Sequence, residues 1–366
     1  TMREYHACSI CGRKYAEEEL TLFAGDYFCE SCLEEETVVC SDCGERIWAD
    51  RNAGNGSRPL CQRCYDRHYT NCERCGAVIS NDEACYLDDG DDPYCECCYH
   101  ILQNQIIHNY DYRPELHFYG AGQQFFGVEL EIDKGGELAS NAEKILAVGN
   151  RDAEYFYCKH DGSLDDGFEI VSHPATAEYH LTHLPWKEVM AEAVSLGYRS
   201  HQACTCGLHI HISRSSFGAT EAEQEAAIGR LLFFVEKHWN ELLKFSRRTN
   251  RQLDRWAARY GYKDTPKEMM DQAKSYHYGR YTCVNLTNRD TVEIRIFRGT
   301  LKYTTLAATI QLTHRLCSLV TALTDEELRA LSWSEFIASV REPELIQYLK
   351  ERRLYLNEPV ESEADL

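Results

Sequence analysis

Apolar and polar positions alternate at period two in Phe126-Gly-Val-Glu129-Leu-Glu131-Ile132. That pattern predicts a β-strand with Glu129 and Glu131 on one face. Strands are predicted again at Phe168–Ser172, Gly207–Ser213, 280–287 and 291–298, where polar groups alternate with Val, Ile, Leu and Phe. Helical spacing marks 137–149, 176–196 with a break near Pro185, and about 303–323, followed by short helices over 325–352. A long amphipathic helix is predicted from Thr220, which with Glu223 makes a capping box, to about Ser246. A further helix over 247–260 would carry Arg247, Arg251, Arg255 and Arg259 at i, i+4 spacing. These arginines read first as a solvated face and second as a cationic rim for an acidic substrate or partner.

The first hundred residues follow another rule. Twelve cysteines form six Cys-x-x-Cys pairs, and successive units open at Cys8, Cys40 and Cys72, 32 residues apart. The groups are Cys8, Cys11, Cys29 and Cys32; Cys40, Cys43, Cys61 and Cys64; and Cys72, Cys75, Cys95 and Cys98. Gly12, Gly44 and Gly76 follow the opening pairs, as a tight turn round a thiolate-bound metal requires. A unit this short cannot fold on apolar burial alone. Zinc binding, about 10–16 kcal/mol per structural site, offsets that deficit. Four thiolates close the tetrahedral shell and leave no catalytic position. The units resemble zinc ribbons or LIM-type half-modules, with ligands drawn from within each unit and about three Zn²⁺ per chain. Cys85 and Cys97 fall outside the pattern, and Cys97 competes with Cys98 as a ligand.

Three small zinc-ribbon-like units, each with four cysteine ligands, are thus expected over 1–103. A linker over 104–122 containing Pro114 and Gly120-Ala-Gly122, a larger domain over 123–355, and an acidic tail over 356–366 complete the chain. The net charge of −20 argues against general affinity for nucleic acid, leaving the zinc units as the one route to it. No apolar run approaches a membrane span, and the first residues hold no hydrophobic signal region, so a cytoplasmic protein is expected.

The chemistry lies in four stretches of the larger domain: Glu129 and Glu131; Asp161-Gly-Ser with Glu169-Ile-Val-Ser; Gly207-Leu-His209-Ile-His211; and Val292-Glu293-Ile-Arg295-Ile-Phe-Arg298-Gly299. Singly, each has a structural explanation: a hydrogen-bonded histidine or an ordinary ion pair. Together they gather carboxylates in otherwise apolar strands. Two carboxylates about 4 Å apart repel by about 4 kcal/mol at an effective dielectric near 20, so such a group demands cations. Oxygen ligands with a histidine suit Mg²⁺ or Mn²⁺.

These motifs, in this order, resemble the amidoligase family of the carboxylate–amine ligase superfamily, over about residues 123–323. The resemblance implies an α+β fold: a glutamine synthetase-like curved antiparallel sheet backed by helices, with ATP and Mg²⁺ on its concave face. It also implies that Glu129, His209 and Glu293 hold the metal on the ATP phosphates. Glu131, Asp161 and Glu169 would hold the metal nearer the acceptor carboxylate. Arg295 and Arg298 would stabilise the transferring phosphoryl group, with His211 on substrate or phosphate. Arg280 and Asn285 are further candidates for nucleotide or substrate contacts. Arg298 is three residues from Arg295, so only a bulge before Gly299 brings both to one face.

The implied reaction is ATP-dependent amide or isopeptide formation through an acyl phosphate, with a protein or peptide substrate presented by the zinc units. The identity of the amine stays open. A guanidino-kinase-type phosphotransferase is the second reading, although the His-x-His strand counts against it. A zinc hydrolase built on His209 and His211 ranks lower, and a zinc-ribbon scaffold with an inert ligase-like domain is the non-enzymatic alternative.

Overall fold

In a computed structural model, residues 4–87, 91–103, 105–275 and 279–356 are described. Nearly all of the expected acidic tail lies outside them. Two compact units emerge, Thr1–Asn104 and Gln105–Leu366.

In the first unit each repeat pairs two short strands next to its opening cysteines: Tyr5–Ala7 with Lys14–Ala16, Thr37–Val39 with Arg46–Trp48, and Tyr69–Asn71 with Val78–Ser80. A helix then starts inside each closing pair, over Glu30–Glu36, Gln62–His68 and Glu96–Gln103. The amides of Gly12, Gly44 and Gly76 donate back to the Cys8, Cys40 and Cys72 carbonyls at 2.8–2.9 Å. That closure needs φ between +70° and +75°, the left-handed region where a glycine carries no steric penalty. Between repeats, Trp48 packs edge-on against Phe23 and Phe28 at 5.0 and 5.6 Å.

The second unit is mixed α+β, built round one seven-stranded sheet. Its strands are β1 (Ile107–His108), β2 (Phe126–Ile132), β3 (Phe156–Lys159), β4 (Phe168–Ser172), β5 (Gly207–Ser213), β6 (Val284–Asn285) and β7 (Thr291–Arg298). The spatial order is β1-β3-β4-β2-β5-β7-β6. Every pairing is antiparallel except β1 with β3, so the sheet is not wholly antiparallel as expected. Phe126, Val128, Leu130 and Ile132 of β2, Leu208, Ile210 and Ile212 of β5, and Val292, Ile294 and Ile296 of β7 are fully or almost fully buried. They share one core with Trp186, Ile228, Leu231, Leu306, Ile310 and Leu316 from the helices. These helices include α1 (Ala139–Gly149), α2 (Ala177–Thr182), α3 (Trp186–Ser195), α4 (Glu221–Lys237), α5 (Trp239–Ser246), α6 (Asn250–Trp256), α7 (Pro266–Ser275) and α8 (Tyr303–Ala322). The period-two alternation therefore buries one sheet face and leaves the other for polar groups.

Further expectations are corrected here, among them the helix from Thr220 to Ser246, which breaks at His238 into α4 and α5. Residues 104–122 are not a plain linker: Ile106 and Ile107 pack on the core and Ile107–His108 adds an edge strand. The strand over 280–287 shrinks to Val284–Asn285, because Tyr281 and Cys283 exchange backbone hydrogen bonds with Ala258 instead. The helix over 247–260 is interrupted. Arg247 takes a left-handed conformation, and Thr249 with Gln252 caps a new seven-residue helix. The arginine stripe loses its common face as a result. Pro185 does separate α2 from α3.

Candidate metal and anion site

The polar face of the sheet is assembled by strand register. Glu131 pairs with Glu169 across β2 and β4, Glu129 with His209 across β2 and β5, and His211 with Glu293 across β5 and β7. Lys159 of β3 stands opposite Glu169 and approaches it to 3.6 Å.

Five side chains meet at the centre. His209 Nδ1 lies 3.4 Å from both Glu129 and Glu293, and its Nε2 lies 3.6 Å from Glu131. His211 Nε2 is 3.2 Å from Glu129 and 3.9 Å from Glu293. This Nε2 is buried without a hydrogen bond, while its Nδ1 is engaged with the Thr291 hydroxyl at 3.1 Å. Ligand atoms of Glu129, His211 and Glu293 all fall within 4.8 Å of one another, close enough to share one cation. His211 is thus as well placed as His209 to act as a metal ligand. The buried Glu293 is held by Arg295 at 2.5 Å and by the Asn285 amide at 2.7 Å. Asn285 therefore positions a carboxylate.

Electrostatics divides these groups in two. Burial alone would raise Glu129 and Glu293, but the neighbouring His211 and His209 hold both below the usual carboxylate range. Burial also opposes protonation of His211, yet the Glu129 and Glu293 carboxylates lift it to about 9. Glu131 and Glu169 go the other way: burial raises both, with Asp161 adding to the effect on Glu131 and Glu129 to that on Glu169. Without a cation, one carboxylate pair is stabilised by imidazolium and the other is driven towards its protonated form. The donor set of carboxylate oxygens and imidazole nitrogens, with an orphaned buried Nε2, fits a hard divalent cation.

Asp161 lies in the turn after β3, its side chain accepting from the Ser163 amide at 2.6 Å. It acts on Glu131 and Glu169 through its charge and makes no contact with the central histidines among the described residues. Arg280 stays apart from the carboxylates. Its guanidinium lies over the rings of Tyr110 and Tyr281, 4.9 Å from each centroid.

Arg298 does reach the polar face. The register between β5 and β7 shifts between Leu208 and Ile210, so Leu208 pairs with Phe297 and Gly207 with Arg298. That bulge inserts one residue and turns Arg298 to the side of His209. Arg298 joins Glu131, His209, Arg295 and Arg248 round one small cavity, with its Nη2 on the His201 carbonyl at 2.5 Å.

Arg248 and Lys159 did not stand out in the sequence. Lys159 had a signal in the period-two alternation of Phe-Tyr-Cys-Lys, a stretch too short to be legible alone. Arg248 was hidden beside the more regular arginine series, whose members lie elsewhere. Arg247 binds the Gly299 carbonyl, Arg255 stacks on Trp256, and Arg259 pairs with Glu236. A larger groove of about 1250 Å³ runs past Gln124, Ser216, His314 and Ser318. Among the described residues that line it, Arg230 is already paired with Asp325.

In the first unit the three cysteine groups stand as separate tetrads, each drawn from one repeat. Sulfurs of Cys11 and Cys29, Cys43 and Cys61, and Cys75 and Cys95 are 4.0, 3.8 and 3.8 Å apart. Tetrahedral zinc with bonds of about 2.3 Å requires sulfurs about 3.8 Å apart, so these tetrads fit that ion. Cys98 belongs to the third tetrad, and Cys97 points away, exposed.

No curated protein matches this chain. A crystal structure of a bifunctional glutathione synthetase from Pasteurella multocida is similar at 14% identity and a TM-score of 0.34, over 63% of this chain. The likeness spans 46% of that protein's chain and carries no argument at this level. Among the described residues no helix is long and apolar enough to cross a membrane. Residues 147–317, a little under half of the chain, match the model of a family described as "Putative amidoligase enzyme". The match contains Asp161, Glu169, both histidines, Glu293, Arg295 and Arg298, and begins after the Glu129–Glu131 strand. Over residues 147–317 this chain is thus similar to the amidoligases.

Proposed function

We propose that the sheet unit is an ATP-dependent carboxylate–amine ligase that forms an amide or isopeptide bond on a peptide or protein acid. The observation that carries the reading is the single polar face on which Glu129, Glu131, Glu169, His209, His211 and Glu293 converge beside Arg295 and Arg298. The glutamine synthetase-like form of the sheet is part of the same proposal.

A substrate carboxylate oxygen attacks the γ-phosphorus of ATP, the bond to the β–γ bridging oxygen breaks, and ADP leaves. An amine nitrogen then adds to the acyl carbon, phosphate departs with the acyl oxygen, and the amine proton passes to a basic group or water. Phosphoryl transfer of this kind is governed by positioning and charge neutralisation. Bound Mg²⁺ or Mn²⁺ would supply the positive charge that offsets the phosphates and the acidic face. Glu129, Glu293 and a histidine hold the cation site at the centre, while Glu131, Glu169 and Asp161 supply the acidic end. Arg295 and Arg298 face the group in transfer, and Asn285 fixes Glu293. The cysteine tetrads hold about three structural zinc ions and serve to engage the macromolecular substrate.

The test is product analysis of the zinc-loaded full chain with Mg-ATP and a fractionated cell extract. ADP and phosphate with a new conjugate by mass spectrometry is the expected outcome. AMP with pyrophosphate would mean adenylation and would overturn the acyl-phosphate route. Phosphate retained on a product without amide formation would favour a phosphotransferase.

A further inference from the structure

Arg248 is the one guanidinium of the site cavity that the ligase chemistry above does not use. It follows α5 and lies over Gly207, at the edge of the acidic face. A Cβ placed on Gly207 would stand 2.8 Å from Arg248 Nη2 and 2.6 Å from His209 Nε2. Only a residue without a side chain lets this guanidinium settle so close to the strand. Among the described residues no carboxylate lies within ion-pair distance of Arg248, and its Nη2 reaches just the Cys206 carbonyl, at 3.5 Å. Arg248 is half-buried, and withdrawing a guanidinium from water with so little compensation costs stability. An arrangement that keeps such a cost at a cavity wall suits an anion that arrives from outside.

The cavity supplies the rest of a recognition surface. Its lining adds Gln252 and Trp256 of α6 to Arg248, with Glu131 and Ser163 on the acidic side. The Oε1 of Gln252 already accepts from the Thr249 amide, which leaves its NH₂ group as a donor. Trp256 offers an apolar wall. Arg248 stands at the Glu131 end of the face in one cavity with Arg295 and Arg298, where the acid substrate must meet the group in transfer. A planar fork of N–H donors is matched to a carboxylate.

We propose that Arg248, with Gln252 and Trp256, forms a subsite for a second carboxylate of the acid substrate, which is therefore a diacid with a short apolar spacer. This rests on the ligase reading: one carboxylate is activated over the carboxylate–histidine face while Arg248 grips the other. A glutamyl or aspartyl residue at a peptide C-terminus and a free dicarboxylic acid share this chemistry.

Calorimetry on the zinc-loaded full chain tests the subsite, with Mg-ADP present and glutarate, butyrate and inorganic phosphate as probes. Glutarate is expected to bind about tenfold tighter than butyrate, the effect of one charge-assisted hydrogen bond. Arg248→Gln should erase that preference and leave Mg-ADP affinity unchanged, and Arg248→Lys should restore part of it. Unchanged melting and zinc content would show that the variants fold, and the wild-type preference stands without them. Glutarate binding no tighter than butyrate would overturn the proposal. So would an Arg248→Gln variant that loses Mg-ADP or phosphate as strongly as glutarate. Failure of the wild type to bind Mg-ADP, with the glutarate preference intact, would instead remove the nucleotide reading and support the subsite.

Discussion

The two units gather metal-ligating side chains in opposite ways. In the cysteine repeats the ligands are close in sequence, held by local turns, and sufficient to surround an ion completely. On the sheet they come from strands far apart in sequence and sit on a large apolar core. Four sulfurs of one kind make a metal part of the fold. Carboxylates and imidazoles on a scaffold with its own large core do not need a metal to hold the fold, which suits the chemical role proposed for it. In the first unit the metal offsets a small core; in the second the core sustains a cluster of like charges.

The largest expected effect separates the units. Cys40→Ser should cost the second repeat its zinc, whose binding is worth about 10–16 kcal/mol, while the sheet unit keeps its melting transition. Metal analysis with limited proteolysis reads both, and unchanged zinc content would contradict the tetrad assignment. Glu293→Gln should do the reverse: zinc content stays full, and ATP turnover falls by at least about 100-fold. Equal turnover in variant and wild type would remove Glu293 from the site.

A subtler difference concerns pH in the metal-free sheet unit. His211, lifted from 6.5 to about 9 in the folded chain, contributes stability that is complete below pH 6.5. That contribution is lost as pH rises through 9. The raised carboxyls of Glu131 and Glu169 act in the same sense, since the unfolded chain ionises them more readily. Thermal stability without divalent cations should therefore fall between pH 6.5 and 9, and Mg²⁺ should flatten the slope. A metal-free profile that rises over this range would refute the charge arrangement. The smallest effect belongs to the cysteine turns: Gly44→Ala, at φ +75°, should weaken the second repeat by about 1–2 kcal/mol and leave the sheet unit untouched.

Period-two alternation made β2, β4, β5 and β7 legible in the sequence, because one face of each must be buried. The cysteine tetrads were legible for a different reason, since ligand spacing is itself local. What stayed hidden was set by tertiary pairing. Ile107–His108 gains its identity as a strand from β3, and residues 281–283 give up a place in the sheet to pair with Ala258. The bulge that turns Arg298 inward could be named as a requirement from the Arg295–Arg298 spacing, though its position depended on how β7 meets β5. Arg248 could not be ranked above its neighbours until Gly207 was seen beneath it.

If the sheet face holds divalent cations through Glu129, the histidines and Glu293, metal binding should be measurable there. Manganese titration of the zinc-loaded full chain, followed by electron paramagnetic resonance, tests it most directly. At least one manganese ion is expected to bind per chain beyond the zinc, to be displaced by excess Mg²⁺ and to be lost in Glu293→Gln. Manganese binding that is absent, or unaltered by Glu293→Gln, would contradict it.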